Sequence, residues 1–384
     1  MRIDSRTKNH KASGIMADHK VKTSHNEELP LKVTTFNVLK PAQIWDIVQG
    51  YVATTEPRYK YQIDTLFPQL DQDIFSLQEV TPEYIELLED SEFYKSGNYE
   101  HTPADALNKY GHFPMIVSRL PFDLLYNKDH ILICLFKSGD KNIIAIDAHL
   151  DPVEGNRDVR QKQIEAVDSI LTTMADDSLT QHKDRVNDAL NNNNVLFMGD
   201  LNIYFPGENQ VLEDNDFFDL WLEKHSHDEG LTWDPTKNTM NHFNSFFDDR
   251  RLRYDRICMK QSKQFDIKNI KMIATDKIET SDLYASDHFG LAAEFSPSSH
   301  GFIPAETEFK QEFSMLPQNN TGFSTDTDIL FMKIASLITI LLFVLSFLCS
   351  LSKVYKKIFT RRSLPKKLPM YEITKDNDPR KKLT

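Results

Sequence analysis

The strongest constraint on the fold is a short apolar segment that ends abruptly in polar residues, Val195-Leu196-Phe197-Met198-Gly199-Asp200-Leu201-Asn202. Four apolar residues between a run of asparagines and a glycine are typical of a buried β-strand. A strand that ends in an acid and an amide presents polar groups at the edge of a sheet, where an active site can be assembled. An ordinary strand followed by an Asp/Asn turn has the same pattern, so other strand ends are needed to distinguish the two.

Two other predicted strands also end in polar residues. Lys32 to Val38 is rich in β-branched residues and carries Asn37 near its end, and Asp73 to Val80 is largely apolar until Glu79. Further strands are predicted at Met115–Ser118, Ile131–Phe136, Asn142–His149, Arg253–Met259 and Leu291–Phe295. Because three separate strands end in an acid or an amide, we expect a shared polar site at one edge of a sheet.

Helices are predicted where apolar residues recur at intervals of three and four. The predicted helices are Arg58–Leu70, Thr81–Leu88, Arg157–Met174 and the short Phe217–Trp221. Within the third helix, Arg160 and Gln163 are three residues apart and therefore lie on one face. The composition of Ala175–Asn194, which ends in four consecutive asparagines, predicts a solvated loop.

The connections between the predicted elements indicate the fold class. Strands and helices are interleaved, but several neighbouring strands are joined by turns such as Ser138-Gly139-Asp140. A connection this short joins antiparallel strands, whereas parallel strands need a long crossover. We therefore predict an α/β domain over residues 31–297, with two mixed β-sheets packed together and flanked by helices as a four-layer α/β/β/α sandwich.

The segments outside this domain differ from it in composition. Residues 1–30 are polar and charged without an apolar core, which predicts a disordered segment and no secretory signal peptide. Residues 298–328 are rich in Pro, Ser and Asn and are predicted to be a linker. Nineteen residues without a charge, Ile334–Ser352, predict a membrane-spanning helix within residues 329–352. A basic tail, residues 353–384, follows.

Charge is distributed unevenly along the chain. The whole chain has 45 Lys and Arg residues against 57 Asp and Glu residues, a net charge of −12. The tail after the apolar segment is strongly basic, so the part that precedes it is more acidic than this mean. An acidic domain is poorly suited to track long nucleic acid through phosphate contacts alone. A small phosphate site that uses a metal ion remains compatible with this charge.

The sequence gives conflicting indications about the membrane orientation. The basic tail predicts a cytosolic C-terminus, and Lys381-Lys382-Leu383-Thr384 is similar to a dilysine signal for retrieval to the endoplasmic reticulum. Asn319-Asn320-Thr321 is a glycosylation sequon, which would place the domain in a lumen. The absence of a signal peptide and the presence of only three cysteines favour a reducing compartment. We predict a single-pass protein of the endoplasmic reticulum or another endomembrane and leave the side of the domain open.

Four short motifs, taken in order, resemble those of a known family. Thr35-Phe36-Asn37, Leu77-Gln78-Glu79-Val80, Gly199-Asp200-Leu201-Asn202 and Ser286-Asp287-His288 are similar to the motifs of the endonuclease/exonuclease/phosphatase superfamily of Mg²⁺-dependent phosphoester hydrolases. The resemblance covers about Leu31 to Phe295. It implies the four-layer fold and hydrolysis of a phosphodiester by water with a bound Mg²⁺ ion, or with Mn²⁺ as the alternative.

Within the superfamily, two further segments are similar to the 5′-tyrosyl-DNA phosphodiesterases. These are Thr232-Trp233-Asp234 and Leu252-Arg253-Tyr254-Asp255-Arg256-Ile257. Two features depart from that branch: Phe36 stands where it usually has tryptophan, and Ala148-His149-Leu150-Asp151-Pro152 differs around its His-Leu pair. The resemblance therefore implies the chemistry without naming the leaving group.

The resemblance assigns roles to the residues that match its motifs. Glu79, with help from Asn37, would hold the metal ion, since Mg²⁺ prefers oxygen ligands. Asp200 would deprotonate the attacking water, and Asn202 would position the water or the phosphate. His288 would donate to a phosphate oxygen as negative charge develops there.

Other residues would support these. Asp255 would fix the imidazole of His288, Asp287 would lie near the water or metal, and Trp233 would line the substrate groove. His149, Arg160 and Gln163 are candidates for binding the phosphate. Other roles are open at this stage: His149 fits a buried structural histidine, Trp233 a packed aromatic residue, and Asp255 an ion pair with a neighbouring arginine.

Three functions fit these observations. The first is a membrane-anchored phosphodiesterase that resembles tyrosyl-DNA phosphodiesterase and acts on a tyrosyl–nucleic acid adduct or a nucleic acid end. The second is a phospholipid phosphodiesterase of the neutral sphingomyelinase type, which would take a phospholipid headgroup and better explain a membrane anchor. The third is a non-catalytic scaffold on the same fold, which would be expected to lack a metal carboxylate or the final histidine, whereas this sequence has both.

Overall fold

The described part of the chain forms twelve strands, which lie in two six-stranded sheets. The strands are β1 Leu31–Asn37, β2 Ile74–Val80, β3 Glu100–His101, β4 Phe113–Ser118, β5 Phe122–Lys128, β6 Ile131–Ser138, β7 Lys141–His149, β8 Val195–Asp200, β9 Phe218–Asp219, β10 Asp255–Met259, β11 Phe265–Ile273 and β12 Gly290–Pro297. The computed structural model describes residues 30–41, 52–104, 111–176, 182–241, 250–279 and 281–305. Strands and helices are numbered in chain order within these described residues.

Each sheet is mixed and contains one parallel pair. The first sheet has the order β11-β12-β1-β2-β4-β3, and the second has the order β5-β6-β7-β8-β10-β9. The parallel pairs are β1 with β2 and β7 with β8, whereas the other neighbours are antiparallel. The prediction of two mixed sheets is confirmed, and the turn-length connections join antiparallel strands as expected.

Most of the helices cover the outer faces of the two sheets, whereas Leu220 and Trp221 of the last helix pack in the cluster that contains the inner faces. They are α1 Val52–Tyr61, a π-helical turn Gln62–Leu66 that continues into α2 Phe67–Leu70, α3 Pro82–Asp90, α4 Glu92–Ser96, α5 Arg157–Asp176, α6 Lys183–Asn191, α7 Asn209–Asp214 and α8 Leu220–Lys224. A 3₁₀ turn, Pro206–Glu208, precedes α7. The helices predicted at Arg58–Leu70, Thr81–Leu88 and Arg157–Met174 correspond to α1–α2, α3 and α5.

Three apolar clusters hold the four layers together. Side chains from the inner faces of both sheets, such as Val33 and Met198, pack against each other in the first cluster. The second joins the outer face of the second sheet to α5 and α6, and the third joins the outer face of the first sheet to α1 and α3. The four-layer α/β/β/α sandwich that the sequence predicts is therefore the observed architecture.

Two short segments differ from the prediction. Helix α6 lies within Ala175–Asn194, which composition had predicted to be a loop; Val186 and Ala189 are buried against the second sheet, and the polar residues between them hid this narrow apolar stripe. The predicted helix Phe217–Trp221 is instead strand β9 followed by α8. Asp219 separates them because its carboxylate accepts the backbone N–H of Trp221 at 3.0 Å and caps the helix.

The predictions about the two ends of the chain lie almost wholly outside the described residues. They concern the N-terminal segment, most of the linker, the membrane-spanning helix within residues 329–352 and the basic tail. Within the described ranges, no helix combines the length and the apolar character that crossing a bilayer requires. The membrane anchor therefore stays a prediction from the sequence.

Candidate active site

The polar ends of four strands meet at one edge of the two sheets. β1 and β2 are parallel, as are β7 and β8, so within each pair the carboxyl ends point the same way. The pairs belong to different sheets, and the Nδ2 of Asn37 on β1 donates to Oδ2 of Asp200 on β8 at 3.0 Å. We call Asn37, Glu79, His149, Asp200, Asp255 and His288 the strand-end cluster.

Asp200 makes the most contacts within the strand-end cluster. Its Oδ2 accepts from Asn37 and lies 3.6 Å from Nε2 of His149 and 3.8 Å from Nε2 of His288. Its Oδ1 accepts the backbone N–H of Asn202 at 3.1 Å. The carboxylate is thus held in one orientation between two imidazoles, which is the arrangement a general base needs.

Gly199 allows β8 to bring Asp200 to this position. Its φ is 141°, and a Cβ atom placed on it would lie 1.9 Å from the carbonyl oxygen of Ala148 on β7. A side chain at this position would therefore push the two parallel strands apart. The glycine that marks the strand in the sequence is required for close approach of the backbones.

Asp255 and His288 form a buried hydrogen-bonded pair. Nδ1 of His288 lies 2.9 Å from Oδ2 of Asp255, and both side chains are almost fully buried. Burial disfavours the charged imidazole, but nearby carboxylates outweigh this effect and raise the pKa of His288 well above its usual value. Those carboxylates belong to Asp255, Asp200 and Asp287. These carboxylates therefore favour the protonated imidazole, whose Nε2 can donate to a bound group.

Two residues of the segment around Thr232 hold this pair in place. The hydroxyl of Thr232 accepts the backbone N–H groups of Tyr254 and Asp255, each at 3.1 Å. The ring of Trp233 stands at 72° to the imidazole of His288 with centroids 5.1 Å apart. Trp233 is 9% exposed and also packs against Leu252 and Tyr254, so only a small part of the ring is free to line a groove.

A bulge in β2 turns Glu79 toward the strand-end cluster. Leu77 pairs with Met115 and Val80 pairs with Phe113, so two residues of β2 face the single residue Pro114 on β4. Proline has no N–H to continue the ladder, which favours a bulge at this point. Glu79 has a φ of 60°, and its Oε2 accepts the backbone N–H of Lys40 at 3.0 Å.

The charge around Glu79 favours its ionised form. Desolvation alone would raise the pKa of this carboxyl group, but basic side chains around it outweigh that effect and hold its pKa below the usual value. Those side chains are His149, Lys40, His112 and His288. Glu79 therefore offers an ionised and partly exposed carboxylate at the sheet edge.

The Ser286-Asp287-His288 segment is fixed to the first sheet through Ser286. Its hydroxyl donates to the backbone carbonyl of Asn37 at 2.7 Å and accepts the backbone N–H of His288 at 3.2 Å. The backbone carbonyl of Asp287 accepts from Nδ2 of Asn241 at 2.7 Å. Asp287 is buried beside His288 and acts on it electrostatically.

Asn202 and Gln163 support the loop that follows β7. Asn202 has a φ of 49°, a left-handed conformation that asparagine tolerates, and its Nδ2 donates to the backbone carbonyl of Leu150 at 3.0 Å. Oε1 of Gln163 accepts the backbone N–H of Asp151 at 3.0 Å. Both amides therefore hold the backbone beside His149.

Arg160 has different partners from those we expected. Its side chain is fully buried, and it pairs with Glu208 through Nε at 2.8 Å and through Nη2 at 3.1 Å. The remaining donors reach backbone carbonyls of Asp151, Val153 and Glu154. In this structure the guanidinium holds the loop after β7 and is not directed at the strand-end cluster; phosphate binding by Arg160 stays a prediction.

Two sets of side chains in the strand-end cluster fit a divalent cation. Ligand atoms of Asp200, Asp255 and His288 lie within 4.8 Å of one another. Two carboxylates and a neutral imidazole suit a transition metal such as Mn²⁺, so His288 could serve as a ligand only in place of its role as a protonated donor. Glu79 and Asn37 provide oxygen ligands only, which suits Mg²⁺, but Glu79 is not part of the compact set. The donor types therefore fit a metal ion without identifying it.

Sequence reasoning missed several side chains near the strand-end cluster. Thr232, Ser286 and Gln78 lie within the motifs, but no role was assigned to them. His112 and His130 lie in no motif, and their rings are 5.7 Å and 6.4 Å from the ring of His149. His112 precedes β4 and His130 lies in the turn before β6, so the strand-end rule that found the other residues could not find these two.

The sequence matches the model of the Endonuclease/Exonuclease/phosphatase family over residues 34–288. No curated protein sequence matches the chain. Truncated Caenorhabditis elegans TDP2 is similar in structure, with a TM-score of 0.51 and 17% identity over 70% of this chain and 98% of that chain. Beta toxin from Staphylococcus aureus has a TM-score of 0.48 and 16% identity over 68% of this chain and 99% of that chain.

Proposed function

Because the chain belongs to the Endonuclease/Exonuclease/phosphatase family, whose members are generally hydrolases of phosphodiester bonds, we propose that it is a Mg²⁺-dependent phosphodiesterase anchored in a membrane. The proposed substrate is a 5′-tyrosyl–nucleic acid adduct or a nucleic acid end. The motifs around Trp233 and Asp255, which resemble those of tyrosyl-DNA phosphodiesterases, support this choice.

One observation carries the proposal. Asp200 lies between two imidazoles, and one of these, His288, is bound to a second buried carboxylate, Asp255. A base and an acid are thus placed a few ångströms apart at a shared edge. Hydrolysis of a phosphodiester needs both, because water must lose a proton while the phosphate oxygens gain negative charge.

The side chains of the strand-end cluster would act as follows. Asp200 accepts a proton from the attacking water, while Asn202 helps to hold the loop that faces it. His288 donates from Nε2 to a phosphate oxygen, and Asp255 keeps the imidazole protonated and oriented through Nδ1. His149, whose Nε2 lies 3.6 Å from Asp200, is placed to donate to the same phosphate.

A divalent cation would be held by Glu79, with Asn37 beside it. When bound, it would neutralise charge on the phosphate and so offset the repulsion between an anionic substrate and an acidic domain. The ionised state of Glu79 supports this assignment, because a metal ligand has to be deprotonated.

A second function is favoured by the charge-free segment Ile334–Ser352. A phosphodiesterase held at a bilayer has phospholipid headgroups as its nearest phosphodiesters. Val153 and Phe205, in the loops after β7 and β8, are 54% and 40% exposed, and apolar side chains on such loops are suited to contact lipid. This observation favours the sphingomyelinase-like alternative and an endomembrane location.

The two functions are separated by one comparison. The full chain in detergent with Mg²⁺ is given either a 5′-phosphotyrosyl oligonucleotide or sphingomyelin, and the Asp200→Asn variant serves as the blank. We expect cleavage of the oligonucleotide by the wild type and none by the variant. Cleavage of the lipid alone would establish the second function, and no cleavage of either substrate would favour a non-catalytic scaffold.

A further inference from the structure

A group of basic side chains lies close to Glu79 and His149. It consists of Lys40, His112, His130 and His149, which we call the histidine group. The ring centroids of the three histidines are 5.7, 6.2 and 6.4 Å apart. The proposed chemistry uses only His149 from this group, so the other three members need a separate explanation.

The three histidines come from three different strand boundaries. His112 precedes β4, His149 ends β7, and His130 lies in the two-residue turn between β5 and β6. Asp129 and His130 both have positive φ angles, 54° and 61°, at turn positions where Asn and Gly are favoured. The backbone conformation therefore does not explain why residue 130 is a histidine. Its backbone carbonyl accepts the N–H of His149 at 3.0 Å, which ties the turn to β7.

The charge of the histidine group suits an anion better than a second cation. Lys40 brings a permanent positive charge that acts on both Glu79 and His112. The pKa of His112 is lowered to about 4, chiefly by burial, while Glu79 opposes the shift and Lys40 adds to it. A neutral imidazole has one N–H group, which can serve as a hydrogen-bond donor to an anion.

The spacing of the rings is also suitable for a phosphate. Imidazole N–H groups donate to oxygen at about 2.8 Å, so rings about 6 Å apart are close enough to donate to different oxygens of one phosphate group. His112 and His149 are buried, whereas His130 and Lys40 are partly exposed, which leaves a side from which an anion can enter.

We propose that Lys40, His112 and His130 bind a second phosphate group of the substrate, adjacent to the phosphate that is cleaved. This inference rests on the proposed function, because it takes the scissile phosphate to lie between Glu79, Asp200 and His288. His149 lies between the two positions: its Nε2 is near Asp200, and its ring is near those of His112 and His130.

A second phosphate has two possible sources with the same chemistry. It is the next phosphate along a nucleic acid strand, or it is a phosphate on the headgroup of a phosphorylated lipid. The test therefore uses two pairs of ligands that differ only in a second phosphate. One pair is thymidine 5′-monophosphate and thymidine 3′,5′-bisphosphate, and the other is inositol 1-phosphate and inositol 1,4-bisphosphate.

Binding is measured by calorimetry on the full chain in detergent with Mg²⁺. We expect the wild type to bind the bisphosphate of one pair about tenfold more tightly than the monophosphate. His130→Asn, which tolerates the left-handed turn, and His112→Gln should each reduce this preference to about twofold or less. His227→Asn, in an exposed loop, is the matched control and should keep the full preference.

The outcomes distinguish this inference from the proposed function. A preference in the nucleotide pair alone identifies a nucleic acid strand, and a preference in the inositol pair alone identifies a lipid headgroup. Equal affinity within both pairs, or a preference that persists in a folded His130→Asn variant, would overturn the inference. The proposed function is judged separately by hydrolysis with Asp200→Asn as the blank, since binding of these ligands needs no turnover.

Discussion

Two buried ionic groups near the ends of β7 and β8 are built differently. In the first, Arg160 faces Glu208 through two hydrogen bonds, and its other donors reach backbone carbonyls. In the second, the carboxylates of Asp200 and Asp255 flank the imidazole of His288, and Asp200 also faces the imidazole of His149. The first group is balanced by a permanently charged guanidinium, whereas the second has an excess of negative charge whenever an imidazole is neutral.

The two groups differ in how their buried charges are compensated, and this difference bears on whether a group holds the chain or can take part in chemistry. The donors of the buried guanidinium are all engaged by its carboxylate partner and by backbone carbonyls, so in this structure it holds the loop after β7. When a cation or a proton binds beside two carboxylates and an imidazole, it stabilises the carboxylates and shifts their pKa values. A bound metal ion, together with the substrate, would therefore compensate the excess of carboxylates in the strand-end cluster.

The largest effect should come from removing the base of the unbalanced group. Asp200→Asn keeps the size of the side chain but cannot accept a proton from water, so the hydrolysis rate should fall by about 10³-fold or more. Rates on a phosphodiester substrate and the melting temperature are measured together. A variant that melts like the wild type and retains more than a tenth of its activity would contradict the role of Asp200.

Removing Arg160 from the balanced group should instead lower the stability of the folded protein. Arg160→Met leaves Glu208 buried without its partner, and the free energy of unfolding should fall by about 3 to 5 kcal/mol. Replacing both residues, with Glu208→Gln, should recover part of this loss. Denaturant unfolding of the wild type and the two variants measures it. A stable Arg160→Met protein with a strongly raised KM would show that Arg160 binds phosphate after all.

Asp255→Asn tests the link between the two carboxylates and the imidazole. The substitution removes a negative charge beside His288, so the pKa of the imidazole should fall. The imidazole should then lose the proton that it donates at a lower pH. We expect about a 10²-fold lower rate at neutral pH, and the alkaline limb of the pH–rate profile should move to lower pH. An unchanged alkaline limb would mean that His288 is not the group that titrates.

A third buried acid, Asp147, has no opposite charge among its described contacts. It lies between the sheets and accepts from Nε2 of Gln78 at 2.8 Å, and burial raises its pKa to about 8. The unfolded chain releases this proton near pH 4, so folded stability should fall by up to about 1.4 kcal/mol per pH unit as pH rises between those values.

Asp147→Asn should remove this part of the pH dependence. The amide is neutral at every pH, so the unfolding free energy of the variant should decline less steeply between about pH 4 and pH 8. Urea unfolding at several pH values compares the two proteins. Parallel curves for the wild type and the variant would show that Asp147 is ionised in the folded state.

The sequence predicted the parts of the site that depend on strand ends. Asn37, Glu79 and Asp200 were found because each follows an apolar run, and parallel strands deliver their ends to one edge. The partners of Arg160 could not be predicted from helical spacing, because i, i+3 spacing shows that two residues share a face but not what covers that face. His112 and His130 lie beside strands from both sheets, and only the folded topology brings them to His149.

The most direct test of the central claim is the Mg²⁺ dependence of hydrolysis by the full chain. Bis(p-nitrophenyl) phosphate is a simple diester for this assay, with Mg²⁺ titrated into the wild type and into Glu79→Gln. The account predicts activity that saturates with Mg²⁺ in the wild type and that needs at least about tenfold more Mg²⁺, or is lost, in the variant. Hydrolysis that continues in a chelator, or an identical Mg²⁺ response in both proteins, would contradict it.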